Sequence, residues 1–243
     1  MLILGLDTAT PWGALALGDE TDVFLEISLR SGKGGGEYLL SILNRMLVKT
    51  GRSLREVELI AAGTGPGSYT GIRVGLAAAK GLAEGLKVPV LGVDTLRIIA
   101  ENAVFAGEWV AAVIDARRGS VYAALYRNGA HGLQEYWPPC YTDAESFALK
   151  LTELPGVVIC GDGSKSYRRI WERIPGLRVG PVTWDRPSAA NLIQIAARLR
   201  AAGITEAGLG LSPSYLRRVE AEVRLEGRIN ADEDSSHDVG RSG

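Results

Sequence analysis

Along the first hundred residues the apolar positions change their period several times, and each change marks an element. Residues 2–7 and 13–18 are apolar runs on either side of a turn carrying Pro11 and Gly13, and residues 22–29 resume after a second turn at 18–22. This pattern predicts three strands joined as an antiparallel meander. From Glu37 to Lys49 the positions Leu39, Leu40, Leu43, Met46 and Leu47 follow helical spacing, and Gly51 stands where such a helix would stop. Residues 57–62 form another apolar run, which leads into the loop "GTGPGSYTG" and a helical pattern over 70–86. A short strand at 88–93 and a helix from about Thr95 complete the order β-β-β-α-β-α-β-α over residues 1–105.

The opening pattern then returns. "VAAVIDARRGSVYAALYRNG" is again an apolar strand ending on an aspartate, a tight glycine turn and an alternating strand, so Asp115 matches Asp7 and Gly119 matches Gly13 with a two-residue gap. A second hairpin opening a second α/β segment predicts an internally duplicated, two-lobed chain. The lobes are expected at 1–105 and 106–188, with a strand at 157–160, the turn "GDGSKS" and a helix over about 167–174 in the second. A helix over 189–202 and its extension to 226 are expected to pack back on the first lobe. Residues 227–243 are polar, with two arginines against four acids, and read as a disordered tail.

Composition narrows the function classes. With 243 residues, 46% apolar and 23% charged, the chain can bury its own core without staples. Cys140 and Cys160 lie in no metal or redox spacing and read as reduced thiols. The N-terminal apolar run breaks at Asp7, too early for a membrane span or a secretory signal, so a cytoplasmic protein is expected. The net charge of −1 supplies no global positive field for nucleic acid. Any RNA contact would be local or shared with a partner, and pairs such as Arg117–Arg118, Arg168–Arg169 and Arg217–Arg218 read as solvated surface more often than as phosphate contacts.

Each candidate for chemistry has a bland alternative. "GTGPGSYTGIRVG" opens a helix whose first N–H groups could hold an anion, yet it is neither a Walker loop nor a dinucleotide fingerprint, and Ser68 or Thr70 could simply cap that helix. Gly71, Gly75, Ala78 and Ala79 make one side of it small, which lets another helix approach, either internal or from a second subunit. Ser68 is no hydrolase nucleophile, because Pro66 and Thr70 occupy the glycine positions of G-x-S-x-G and only His131 and His237 could serve as base. Asp7 and Asp115 could hold Mg²⁺ through water beside a nucleotide; equally, each could bond local turn amides.

The segments "LGLDTAT", "GTGPGSYTGIRVGLAAAKGLAEGLKVPVLGVDTL", "DARRGSVYAALY" and "SPSYLR" together resemble the bacterial TsaB family, also called YeaZ, over roughly residues 1–220. The resemblance implies the actin-like, ribonuclease H-related α/β fold of two lobes with mixed sheets flanked by helices. It implies a non-catalytic role in making threonylcarbamoyladenosine in tRNAs that read codons beginning with adenine. The implied partners are the catalytic threonylcarbamoyl transferase subunit, a small ATPase subunit and, alternatively, a second copy of the chain, with tRNA met only through the assembly and no membrane. In the catalytic relative a metal-binding His-x-x-x-His follows a segment like "VPVLGVD"; here the same positions hold Thr95 and Ile99, and Ile99 carries no donor atom. No metal and no firmly held cofactor are therefore expected, with Asp7, Thr8 and Asp115 the residues of a vestigial or interfacial nucleotide site. The partner-binding residues implied on the first two helices are Leu39, Leu43, Met46, Gly71, Ile72, Gly75 and Ala79. Where that family usually has His-Ser-Glu before the first helix, "GGGEYLL" keeps only Glu37. The competing expectation is an ATP-dependent kinase or hydrolase of the same superfamily working through Asp7 and Asp115 around Mg²⁺.

Overall fold

A computed structural model describes residues 1–30, 38–130, 132–204 and 211–216. Glu37, His131, Arg217, Arg218, His237 and the proposed tail 227–243 lie outside the described residues. The first meander is β1 (Leu2–Asp7), β2 (Trp12–Gly18) and β3 (Val23–Arg30), followed by α1 (Leu39–Thr50), β4 (Val57–Gly63), α2 (Tyr69–Leu86), β5 (Val90–Val93) and α3 (Thr95–Ala100). The second part carries β6 (Trp109–Arg117), β7 (Ser120–Gly129), β8 (Gly132–Asp143), α4 (Ala144–Leu151), β9 (Val158–Cys160), α5 (Asp162–Ser166), α6 (Arg168–Trp171) and β10 (Arg178–Val179), before α7 (Ala189–Ala201).

The strand orders are β3-β2-β1-β4-β5 and β10-β9-β6-β7-β8. Read from the first hairpin of each lobe, these are the same sheet: an antiparallel meander whose first strand also pairs in parallel with the fourth, and the fourth with the fifth. Two ribonuclease H-like sheets in one chain make the two-lobed actin-like α/β fold. Because β1 and β6 sit mid-sheet with helices on both faces, their side chains are apolar without alternation, as buried strands require. Leu4 and Leu6 meet α1 and α2 on one face, while Ile3 meets Leu192 and Ile193 of α7 on the other. Each such fully buried aliphatic side chain contributes about 1.5–3 kcal/mol of transfer free energy.

The covering helices cross between lobes. Leu96, Ile99 and Ala100 of α3, from the first part of the chain, pack against Val110, Ala112 and Ile114 of β6 in the second sheet. Helix α7 follows the second lobe in sequence and covers the outer face of the first sheet. Ile98 faces that first cluster while Leu96 and Ile99 face the other, so α3 lies at the joint of the two cores. Two of the expected segments take a different form. The "GDGSKS" turn is helix α5, and the segment expected as one helix over 167–174 is only the single turn α6. Gly161 at φ +95° and Tyr167 at φ −117° interrupt the helical backbone on either side of α5. No helix among the described residues is long and apolar enough to cross a membrane.

Candidate functional site

Asp7 ends β1 and has no exposed surface. One carboxylate oxygen accepts the Ala9 N–H at 2.8 Å and the other accepts the Thr95 hydroxyl at 2.8 Å. Thr95 in turn accepts the Gly65 N–H through Oγ1 at 3.1 Å, and its own N–H donates to Gly65 O at 2.7 Å. The network ties the end of β1, the glycine loop and the start of α3 into one unit. Burial pushes the Asp7 carboxyl up to about 6, against the two hydrogen bonds, which lower it. Asp94, which caps α3 by accepting the Leu96 and Arg97 N–H groups, is pushed by burial to about 7.

Asp115 repeats this arrangement at the end of β6. Its Oδ1 accepts the Arg117 N–H, two residues on, at 2.8 Å, and the Tyr167 hydroxyl at 2.8 Å. Each lobe therefore holds its aspartate by the same two bonds: an amide at i+2, which is turn chemistry, and a hydroxyl brought from a distant helical segment. Asp115 is engaged further by Ser166 Oγ at 3.3 Å and by the Arg117 guanidinium at 3.5 Å, and its N–H donates to Asp162 Oδ1 at 2.8 Å. The turn-forming alternative accounts for both aspartates. Asp7 in particular does not fit a water-bridged Mg²⁺, because no face of its carboxylate reaches solvent.

The glycine loop is filled by the chain's own atoms. Ser68 N–H donates to Ala9 O at 2.7 Å, the Ser68 hydroxyl caps α2 by accepting the Gly71 N–H, and Thr8 Oγ1 donates to Gly71 O at 2.7 Å. A side chain at Gly71 would collide with Thr8 O, and one at Gly75 with Thr8 Oγ1. The small side of α2 thus faces Thr8 at the end of β1, and Thr8 spends its hydroxyl holding that helix. Leu211–Leu216 crosses the same loop. Ser214 N–H donates to Thr64 O at 2.8 Å, Leu211 covers Gly92, and Tyr215 stacks on Tyr69 at 5.1 Å while its hydroxyl accepts from Arg73 Nε at 2.8 Å. This explains "SPSYL" as a strap across the loop, a role that nothing in its spacing announced.

The residues chosen as partner-facing need correction. Leu39, Leu43 and Met46 point inward and pack with Leu4, Leu6 and Ile60 in the first-lobe core. Ile72, Gly75 and Ala79 are buried as well, and Gly71 lies against Thr8. An amphipathic helix puts its regular apolar stripe into its own core. The surfaces left outside are Leu40, 61% exposed, and Val48, 75% exposed, on α1, together with Ala77 and Gly81 on α2. Leu40 belonged to the helical pattern from the start, and its position off the main stripe was the available signal. Thr95 and Ile99 are both buried: the first holds Asp7 and the second packs in the second-lobe core. Among the described residues no three His, Cys, Asp or Glu side chains stand together as a metal-ligand set.

Comparison with known proteins agrees with this architecture. A family model described as TsaD, tRNA N6-adenosine threonylcarbamoyltransferase, matches residues 35–165. The chain is 33% identical to the tRNA threonylcarbamoyladenosine biosynthesis protein TsaB of Escherichia coli over 94% of its own length and 100% of that protein's. It is 28% identical to the Bacillus subtilis protein of the same name, over 92% of this chain and 97% of that one. Among solved structures, YeaZ from Pseudomonas aeruginosa superposes with a TM-score of 0.77 at 29% identity, covering 88% of this chain and 99% of that chain. Sequence, strand order and solved relatives lead to one conclusion: the chain belongs to the TsaB (YeaZ) family and takes part in tRNA threonylcarbamoyladenosine biosynthesis.

Proposed function

We propose that this chain is a non-catalytic, cytoplasmic subunit that binds and activates the threonylcarbamoyl transferase subunit, with a small ATPase subunit completing the tRNA-modifying assembly. The observation that carries the reading is the occupation of Asp7. The carboxylate that would serve a nucleotide or metal is sealed under the lobe and bonded to Thr95, which stands where the catalytic relative has a metal-binding histidine. Ile99, at the other such position, has no donor atom and is buried. A fold that keeps its hairpins but spends their polar groups internally has its exposed helical surface to work with.

That surface is the outer side of α1 and α2. Leu40 and Val48 are large apolar side chains in water on α1, and α2 offers Ala77 and Gly81, which carry little bulk. A smooth face beside exposed aliphatic side chains suits close packing against the helices of another subunit. Calorimetric titration with the catalytic subunit tests the reading. The unsubstituted chain should bind, whereas Leu40→Asp and Val48→Asp should weaken binding at least tenfold while melting like the parent. Unchanged affinity in both variants removes α1 from the interface. Mg-ATP should give no heat with the isolated chain; ATP binding without subunit binding would favour the kinase or hydrolase alternative.

A further inference from the structure

The fold brings together two arginine pairs that lie 50 positions apart in the sequence. Tyr167, which directly precedes Arg168 and Arg169, accepts the Gly119 N–H at 3.2 Å and donates to Asp115 at 2.8 Å. Gly119 directly follows Arg117 and Arg118, and Asp115 also accepts the Arg117 N–H. A single tyrosine hydroxyl therefore clamps the β6–β7 hairpin tip to the start of α6, and all four arginines are exposed around that clamp.

The backbone of the tip makes the arginines harder to explain as filler. Arg117 pairs with Ser120, so Arg118 and Gly119 are the two central residues of a hairpin turn, with φ +54° and +83°. Arg117 is also left-handed, at φ +70°. Left-handed backbone is unfavourable for a long side chain, and glycine or asparagine would form the turn with less strain. The turn itself thus gives no reason for arginine at either position, and the clamp holds both in place.

The acids beside Arg117 and Arg168 hold their guanidinium groups only loosely. Arg117, 77% exposed, lies 3.5 Å from an Asp115 oxygen that also serves Ser166, and Arg168 pairs at 2.6 Å with Glu172 in an exposed i,i+4 contact. Exposed pairs of this kind hold weakly and yield to a phosphate, which accepts two N–H bonds from one guanidinium. Arg169 is in no ion pair among the described residues.

Resting on the proposed role in tRNA modification, we infer that the Arg117–Arg118 tip and the Arg168–Arg169 helix start form one surface by which this chain itself holds the phosphate backbone of the tRNA. The contact reads backbone charge rather than base sequence.

The test uses Arg118→Gly and Arg169→Gln, alone and combined. Arg118→Gly suits the left-handed position and Gln keeps helix propensity, so thermal melting should be unchanged in both. Anisotropy of a labelled, unmodified tRNA is measured across a salt series, with the chain alone and with the chain bound to the catalytic subunit. Each substitution should weaken binding several-fold and make the dependence of log affinity on log salt shallower by about one, and the pair by about two. Slopes and affinities equal to the parent's in both settings overturn the inference, as does failure of the parent to bind tRNA at about 50 mM salt. Calorimetry with the catalytic subunit on the same samples reports on the proposed function separately. If the parent fails to bind that subunit, the functional reading falls while the comparison on the chain alone still decides the RNA surface.

Discussion

Thr95 Oγ1 donates a 2.8 Å hydrogen bond to Asp7 Oδ2 across 88 positions of sequence, and the same hydroxyl accepts the Gly65 N–H. One side chain thereby satisfies a buried carboxylate and a buried amide at once. Thr95→Val keeps the shape and removes the hydroxyl, leaving Asp7 Oδ2 and the Gly65 N–H unpaired; at roughly 1–3 kcal/mol for each unsatisfied group, the loss should be about 2–6 kcal/mol. Thr95→Ser should recover most of it. Urea midpoints of the two variants check this, and equal midpoints would rule out the hydroxyl as the joint.

The buried carboxylate also sets a pH dependence. Asp7 has its folded-state value raised from 3.8 to about 6 by burial, so the folded protein holds more protons than the unfolded chain between these values. The stabilising contribution is complete below about pH 4 and is lost as the pH rises through about 6, on the order of 3 kcal/mol in all. Asp94, raised to about 7, adds a loss of the same sign over a wider window. Asp7→Asn should abolish the Asp7 share, so the variant's stability should fall less than the parent's between about pH 4 and pH 7. Parallel stability profiles for the two proteins would contradict a buried, raised Asp7.

Two glycines on one helix should respond oppositely to the same change. At Gly75 of α2 an added methyl would strike Thr8 Oγ1 and disturb its bond to Gly71 O; Gly75→Ala should cost about 1–3 kcal/mol. At Gly81 nothing lies near the added atom, and Gly81→Ala should add up to about 1 kcal/mol of helix propensity. Thermal melting of the isolated chain shows both signs. Any loss of partner binding in Gly75 variants would then follow from a damaged lobe rather than from a lost contact face.

The strap should loosen when its aromatic anchor is removed. Tyr215→Ala deletes the stack on Tyr69, worth about 0.5–1.5 kcal/mol, and the bond from Arg73. The Ser214 N–H, bonded to Thr64 O, should then exchange with solvent faster, while Tyr215→Phe should keep the stack and most of the protection. Hydrogen exchange resolved at residues 211–216 distinguishes the two, and equal protection in Tyr215→Ala and the parent would show that the strap is held elsewhere.

The sequence by itself determined the elements whose cause is local. Period-two and continuous apolar runs located β1, β2, β3 and β4, helical spacing located α1 and α2, and the repeated hairpin announced two lobes. It did not reveal β8, whose long edge strand carries Pro138 and Pro139 and alternates irregularly, as an edge can because one side of its backbone has no ladder to maintain. Helix α4 was within reach: Asp143 caps it, and Ala144, Phe147, Ala148 and Leu151 follow its buried face.

Only the tertiary structure decided what the polar residues do and which way the helices face. Spacing revealed Asp7, Asp115 and two arginine pairs, yet the Thr95 and Tyr167 hydroxyls that complete their surroundings arrive from distant segments by chain crossover. Periodicity likewise found the apolar stripe of α1, but the regular stripe is the one a lobe buries for itself, so Leu39, Leu43 and Met46 went inward and Leu40 and Val48 were left outside. Local pattern sets which groups must be satisfied; packing sets which partner satisfies them.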